Sequence, residues 1–159
     1  MPSPAAALAD QFAQVNQAVI DVISRDDGDL AAICPGEGWP AVAVGAHICG
    51  AYVGIVENFI KPIVTAQELP PFSFDALHER NARQAAANAA LPREEVVTLL
   101  RERGNAAAAY VRGLSDADLA RTTTLPLTGD DPVTVAQVIA WVLIGHTQGH
   151  LESLRQGLG

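Results

Sequence analysis

Toward the end of the chain, Gly145-His146-Thr147-Gln148-Gly149-His150 sets two histidines four residues apart inside a stretch, residues 134–158, that reads as a helix. At about 3.6 residues per turn, an i, i+4 pair lies roughly 40° apart and one turn along the axis, so both rings can reach a single metal ion. Ile139, Val142 and Leu143 define the apolar stripe of this helix, and counting on by three, four and seven lands on His146 and then His150. Both rings are therefore expected to point inward. A third histidine, His47, follows Val44 by three residues and precedes Ala51 by four, on the apolar stripe of another predicted helix. Two facing helices would then bring three imidazoles, His47, His146 and His150, into the interior.

Imidazole binds zinc, nickel, copper or iron, and three protein ligands leave a coordination position for water or a substrate atom. Structural zinc sites are normally closed by four ligands and often use thiolates, so an all-histidine triad leans toward catalysis. A metal in such a site lowers the pKa of a bound water or thiol, or polarises a carbonyl oxygen. The competing explanation is plain: a lone inward histidine is more often a hydrogen-bonded core residue than a ligand, and His-x-x-x-His arises by chance in many helices. The matched depth of His47 favours the metal.

Other residues near the triad are read differently. His78, beside Glu79 on an alanine-rich segment, is expected at the rim or in solvent, and Cys49 faces away from His47. Trp39 and Trp141 are expected as core or helix-entry anchors, although Trp141 could flank a pocket. Glu152 lies two positions from His150 and faces elsewhere, which leaves the inner faces without a carboxylate to serve as a base. Gly145 and Gly149 each precede a histidine, and a glycine inside a helix costs on the order of 1 kcal/mol relative to alanine. Close approach of a neighbouring backbone is the expected reason for keeping them, ahead of room for a ligand.

The elements that must position these side chains follow from the rest of the pattern. In the first helix, Ala5 to about Asp26, the residues Leu8, Phe12, Val15, Val19 and Val22 recur at intervals of four and three. Cys34-Pro35-Gly36-Glu37-Gly38 is a turn, after which Trp39-Pro40 should begin the second helix, with Pro40 in its first turn and Pro62 kinking it or lying near its end. Asp75 is a plausible N-cap for a third segment reaching about Ala90, and Pro92 restarts a helix containing Val96, Leu100, Arg103 and Ala107. Arg121 to Asp131 reads as an ordered loop with extended pieces, and Thr134-Val135-Ala136-Gln137 fits a capping box for the last helix.

With 159 residues, 49% of them hydrophobic but only 5% aromatic, the chain has one domain's length, 1–159, and suits closely packed helices rather than strands. The expected fold is all-α, a four-helix bundle of the up-and-down type. Ten basic against eighteen acidic residues give a charge of −8, which repels phosphate backbones and argues against nucleic acid as a partner. No run approaches the roughly 20 apolar residues of a membrane span, and Met1-Pro2-Ser3-Pro4 lacks the pattern of an export signal, so no membrane association and a cytoplasmic location are expected. Cys34 and Cys49 are taken as reduced thiols.

Gly38-Trp39, His47 eight residues after that tryptophan within Ala46-His47-Ile48-Cys49-Gly50, Asn81-Ala82-Arg83 and the closing Gly145-to-Leu151 motif together resemble the DinB/YfiT-like superfamily of metal-binding four-helix bundles. That superfamily includes the DinB-like domain of mycothiol-dependent maleylpyruvate isomerase. Pro40 departs from the serine or threonine cap common at that position. The resemblance implies that His47, His146 and His150 coordinate a divalent metal, zinc or nickel, and that the fold forms a homodimer. It also implies transfer or rearrangement of a small-molecule substrate with a low-molecular-weight thiol such as mycothiol or bacillithiol. The leading expectation is thus a thiol-dependent S-transferase or isomerase, in which the metal activates the thiol and Arg83 is a guess for a carboxylate clamp. Metal-activated hydrolysis, and a non-enzymatic bundle whose metal is structural, are the alternatives.

Overall fold

The computed structural model describes all of residues 1–159. Ser3 starts α1, Pro4–Ile23: its hydroxyl accepts the Ala6 N–H at 3.1 Å, and Pro4 occupies the first turn, where a missing N–H leaves nothing unpaired. The fully buried line is Ala5, Ala9, Phe12, Asn16, Val19 and Ile23, with Leu8, Val15 and Val22 packed beside it. The apolar spacing found the helix, and Phe12 and Val19 of that stripe are fully buried together with the alanines Ala5 and Ala9.

The turn before the second helix is a small hairpin. β1, Ile33–Cys34, pairs antiparallel with β2, Trp39–Pro40, with Cys34 opposite Trp39. Gly38 closes it at φ 74°, a conformation that side chains with a Cβ resist. Pro40 is therefore the residue before the helix rather than part of its first turn. α2, Ala41–Val64, begins with its free N–H groups met by loop backbone: Ala41 donates to the Ala32 carbonyl at 2.9 Å and Val42 to that of Leu30 at 3.1 Å. Within α2, Val56–Ile60 forms a π-helical turn in which the Lys61 N–H reaches back five residues to Val56. This wider turn directly precedes Pro62, whose ring would crowd the carbonyl four residues back in a regular α-helix.

α3, Phe74–Ala87, is capped by Ser73, whose hydroxyl accepts the Ala76 N–H; Asp75, the expected cap, lies in the first turn instead. A break at residues 88–92 separates α3 from α4, Arg93–Arg112. α5, Asp116–Ala120, carries a capping box between Ser115 and Asp118. β3, Thr122–Thr123, is an extended piece of the loop expected at Arg121 to Asp131, and it pairs with β4, Val133–Thr134, just beyond that loop. The last helix, α6, covers residues 135–158 and starts at the Thr134–Gln137 capping box, as its sequence requires. It too contains a π-helical turn, Ile139–Ile144, where the Gly145 N–H bonds to the Ala140 carbonyl.

The long helices α1, α2, α4 and α6 enclose one apolar core that includes Phe12, Ile48, Leu100, Leu143 and Leu154. α2 is long and apolar enough to cross a membrane, with mean hydropathy 1.3, contrary to the sequence expectation; 56% of that window is buried inside the bundle. Its apolar residues face α1 and α4. Trp141 is 56% exposed and so is not a core anchor. Contacts pair Cys34 with Gly157, Gly36 with Ser153, His47 with His146 and Tyr52 with Thr147, so α2 and its leading turn run antiparallel to α6.

Candidate metal centre

This antiparallel register puts the start of α2 beside the second half of α6. His146 Nε2 lies 3.1 Å from His47 Nε2 and 3.0 Å from His150 Nε2. One donor atom from each of the three rings falls within 4.8 Å of the others. Tetrahedral nitrogen ligands about 2.0–2.1 Å from a zinc ion stand about 3.3 Å apart, so the spacing and the donor chemistry suit a divalent cation. All three side chains are half-buried, reached from outside yet flanked by core.

Burial lowers the pKa of His47 to about 4 and that of His146 to about 3, and the charge on His150 pushes both further in the same direction. Both are neutral at pH 7, with ring lone pairs free for a cation. The Trp39 ring stands edge-on to His47, centroids 5.4 Å apart, and limits its rotation. The His146 Nδ1 atom is buried without a hydrogen-bond partner.

His150 is oriented by a residue that helical periodicity does not reveal. Its Nδ1–H donates to Glu37 Oε1 at 2.5 Å, since a carboxylate accepts, and this leaves Nε2 as the lone-pair atom facing the other two rings. The Ser153 hydroxyl donates to Glu37 Oε2 at 2.6 Å and accepts the Gly36 N–H at 2.9 Å, so both carboxylate oxygens are engaged. The only sequence signal was the placement of Glu37 between two glycines, two residues before Trp39.

The other candidates separate cleanly. Cys49 is buried and donates to the Gly45 carbonyl, away from the triad, and His78 is exposed, both as expected. Arg83 is exposed on α3 beside Glu79 at 3.9 Å, whereas Arg80 is the α3 arginine whose charge bears on His47. Gly145 and Gly149 do not answer to packing. A Cβ at Gly149 would meet nothing within 4 Å, and one at Gly145 only the Ala140 carbonyl of the same helix at 3.5 Å. The space beside the histidines on α6 is open.

The model of the DinB superfamily matches residues 26–154. No curated protein matches the chain. Among solved structures, the chain is similar to YfiT from Bacillus subtilis, described as a probable metal-dependent hydrolase with an unusual four-helix bundle topology. The two share 18% identity at a TM-score of 0.66, over 93% of this chain and 84% of that one, a likeness of fold. A four-helix bundle with histidines gathered between its second and last long helices, matched by the family model over most of its length, belongs to the DinB superfamily.

Proposed function

We propose that His47, His146 and His150 hold one divalent metal, zinc or nickel, through their Nε2 atoms, and that the protein is a metal-dependent S-transferase or isomerase. Its nucleophile is a low-molecular-weight thiol such as mycothiol or bacillithiol, and its substrate a small electrophile. The observation that carries this reading is the convergence of three Nε2 atoms, at 3.0 and 3.1 Å, with no fourth protein donor among them. When bound, the metal supplies a Lewis acid that favours the thiolate form of a coordinating thiol.

The chain's own groups favour an external thiol. Burial pushes the Cys34 thiol up to about 11 and the Cys49 thiol up to about 12, so neither is a ready nucleophile. Glu37 holds the His150 ring and accepts from Ser153, which leaves it unavailable as a general base for water. A thiol activated by coordination needs no such base.

Hydrolysis is the second reading, favoured by the likeness to YfiT, a probable metal-dependent hydrolase. One experiment separates the two. Protein purified without a histidine tag is loaded with zinc or nickel, then assayed on an electrophilic dye with and without thiol and on an ester without thiol. Thiol-dependent turnover that disappears in His146→Ala supports transfer, and thiol-independent ester cleavage that disappears supports hydrolysis. Turnover that persists in His146→Ala defeats both. Metal loading that raises the melting temperature without any turnover assigns the site a structural role.

A further inference from the structure

The opposite side of α2 holds a second groove, independent of the histidines. At 100° per residue, Val53 and Val56 stand roughly 120° and 180° around the helix from His47. They face Ala106 and Ala107 of α4 across a cavity of about 150 Å³. Val56 and Glu57, on the α2 wall, belong to the π-helical turn.

Arg103 lines this cavity half-buried, and no carboxylate of the chain pairs with it. Its situation is singular. Arg25, Arg83, Arg112 and Arg121 each pair with an acid, and Arg93 donates to the Gly28 carbonyl. Arg80, Arg101 and Arg155 are exposed and solvated. In a chain with eighteen acidic residues to ten basic ones, a half-buried arginine facing an apolar hollow without an acid leaves its charge available to a ligand. At the rim, Lys61 is already paired with Glu57, and its Nζ lies 5.3 Å from the centre of the Tyr110 ring. The groove therefore presents one uncompensated positive charge above four small apolar side chains.

We propose that this groove binds a small monocarboxylate with a short apolar body. Arg103 offers two parallel N–H donors to the carboxylate, the geometry its planar head favours. Val53, Val56, Ala106 and Ala107 cover the body. An open groove of about 150 Å³ has room for little more than one aromatic ring, which makes benzoate a suitable probe. The carboxylate of Glu57 at the rim opposes a dianion such as phosphate.

Titration calorimetry of benzoate against the full chain, in parallel with the neutral isostere benzamide, tests the site. The expected result is benzoate binding in the millimolar range or tighter, weakened at least about tenfold in Arg103→Gln and for benzamide. Binding should persist after chelation and in His146→Ala, which separates this groove from the metal centre. Ala106→Phe, at an exposed position, fills the hollow and should abolish binding with the melting temperature preserved, so a misfolded Arg103→Gln would not leave the question open. Absence of benzoate binding, equal binding of benzamide, survival in a folded Arg103→Gln or Ala106→Phe, or loss on chelation each overturns the proposal.

Discussion

Two pairs of glycines in the bundle do opposite work. Where α1, α2 and α4 meet, they admit neighbours: a Cβ on Gly45 would come 2.8 Å from Val96 Cγ1, and one on Gly104 would come 2.1 Å from Asn16 Nδ2. Near the histidines, Gly50 of α2 and Gly149 of α6 face empty space, with nothing within 4 Å of the added carbon. The first group repays its helix penalty in packing. The second obtains no packing in return, because both positions lie at the solvent-exposed surface, on the helices that carry the three rings of the proposed metal site.

The closed side should yield the largest effect. Gly104→Ala displaces Asn16, whose amide donates to the Leu100 carbonyl at 3.1 Å and accepts the Tyr52 hydroxyl at 2.8 Å. Overpacking together with a broken buried network should destabilise the protein by roughly 2–4 kcal/mol, read from chemical denaturation. A loss below about 0.5 kcal/mol would mean that this seam is as loose as the other.

On the open side, the strongest effect should come through orientation rather than volume. Glu37→Gln keeps the shape but weakens the hold on His150 Nδ1, and outer contacts of this kind typically change metal affinity by about 10–100-fold. Competition with a chromophoric chelator measures it, and unchanged affinity would detach Glu37 from the site.

The histidines also give the metal-free protein a pH signature. His47 and His146, lowered in the fold to about 4 and about 3, take up protons more readily when unfolded. Their contribution to stability is complete above the unfolded value near 6.5 and declines as pH falls toward 4 and below. Melts of chelated protein across that range should show a decline that shrinks in a His47→Phe, His146→Phe double variant. An undiminished decline would place its origin elsewhere.

The smallest effect is also the sharpest test of the contrast. Gly149→Ala adds a methyl group to empty space inside a helix and should stabilise by up to about 1 kcal/mol. If the space serves a substrate, turnover falls while the melting temperature rises. Destabilisation would show that the exposed surface at Gly149 is not free.

Several features were legible in the sequence because they are local. The Thr134–Gln137 capping box, the separation of elements at prolines, the exposure of His78 and the i, i+4 histidine pair all depend on residues within one or two turns. Trp141 was misplaced because composition suggests burial, while the π-helical turn Ile139–Ile144 and the packing of α6 leave that ring at the surface. The two π-helical turns escaped for a related reason: an extra residue in a turn leaves the apolar spacing nearly unchanged over so short a stretch.

What the sequence determined by itself was helical content, the stripes that face inward and the pairing of His146 with His150, since backbone hydrogen bonding at a fixed pitch imposes them. Only the tertiary structure brought His47 to His146 across 99 positions and Glu37 to His150 across 113. Those meetings depend on the antiparallel register of α2 and α6 and on the hairpin that folds Glu37 back against Ser153. Register of that kind is settled by the packing of side chains throughout the core, and no local spacing encodes it.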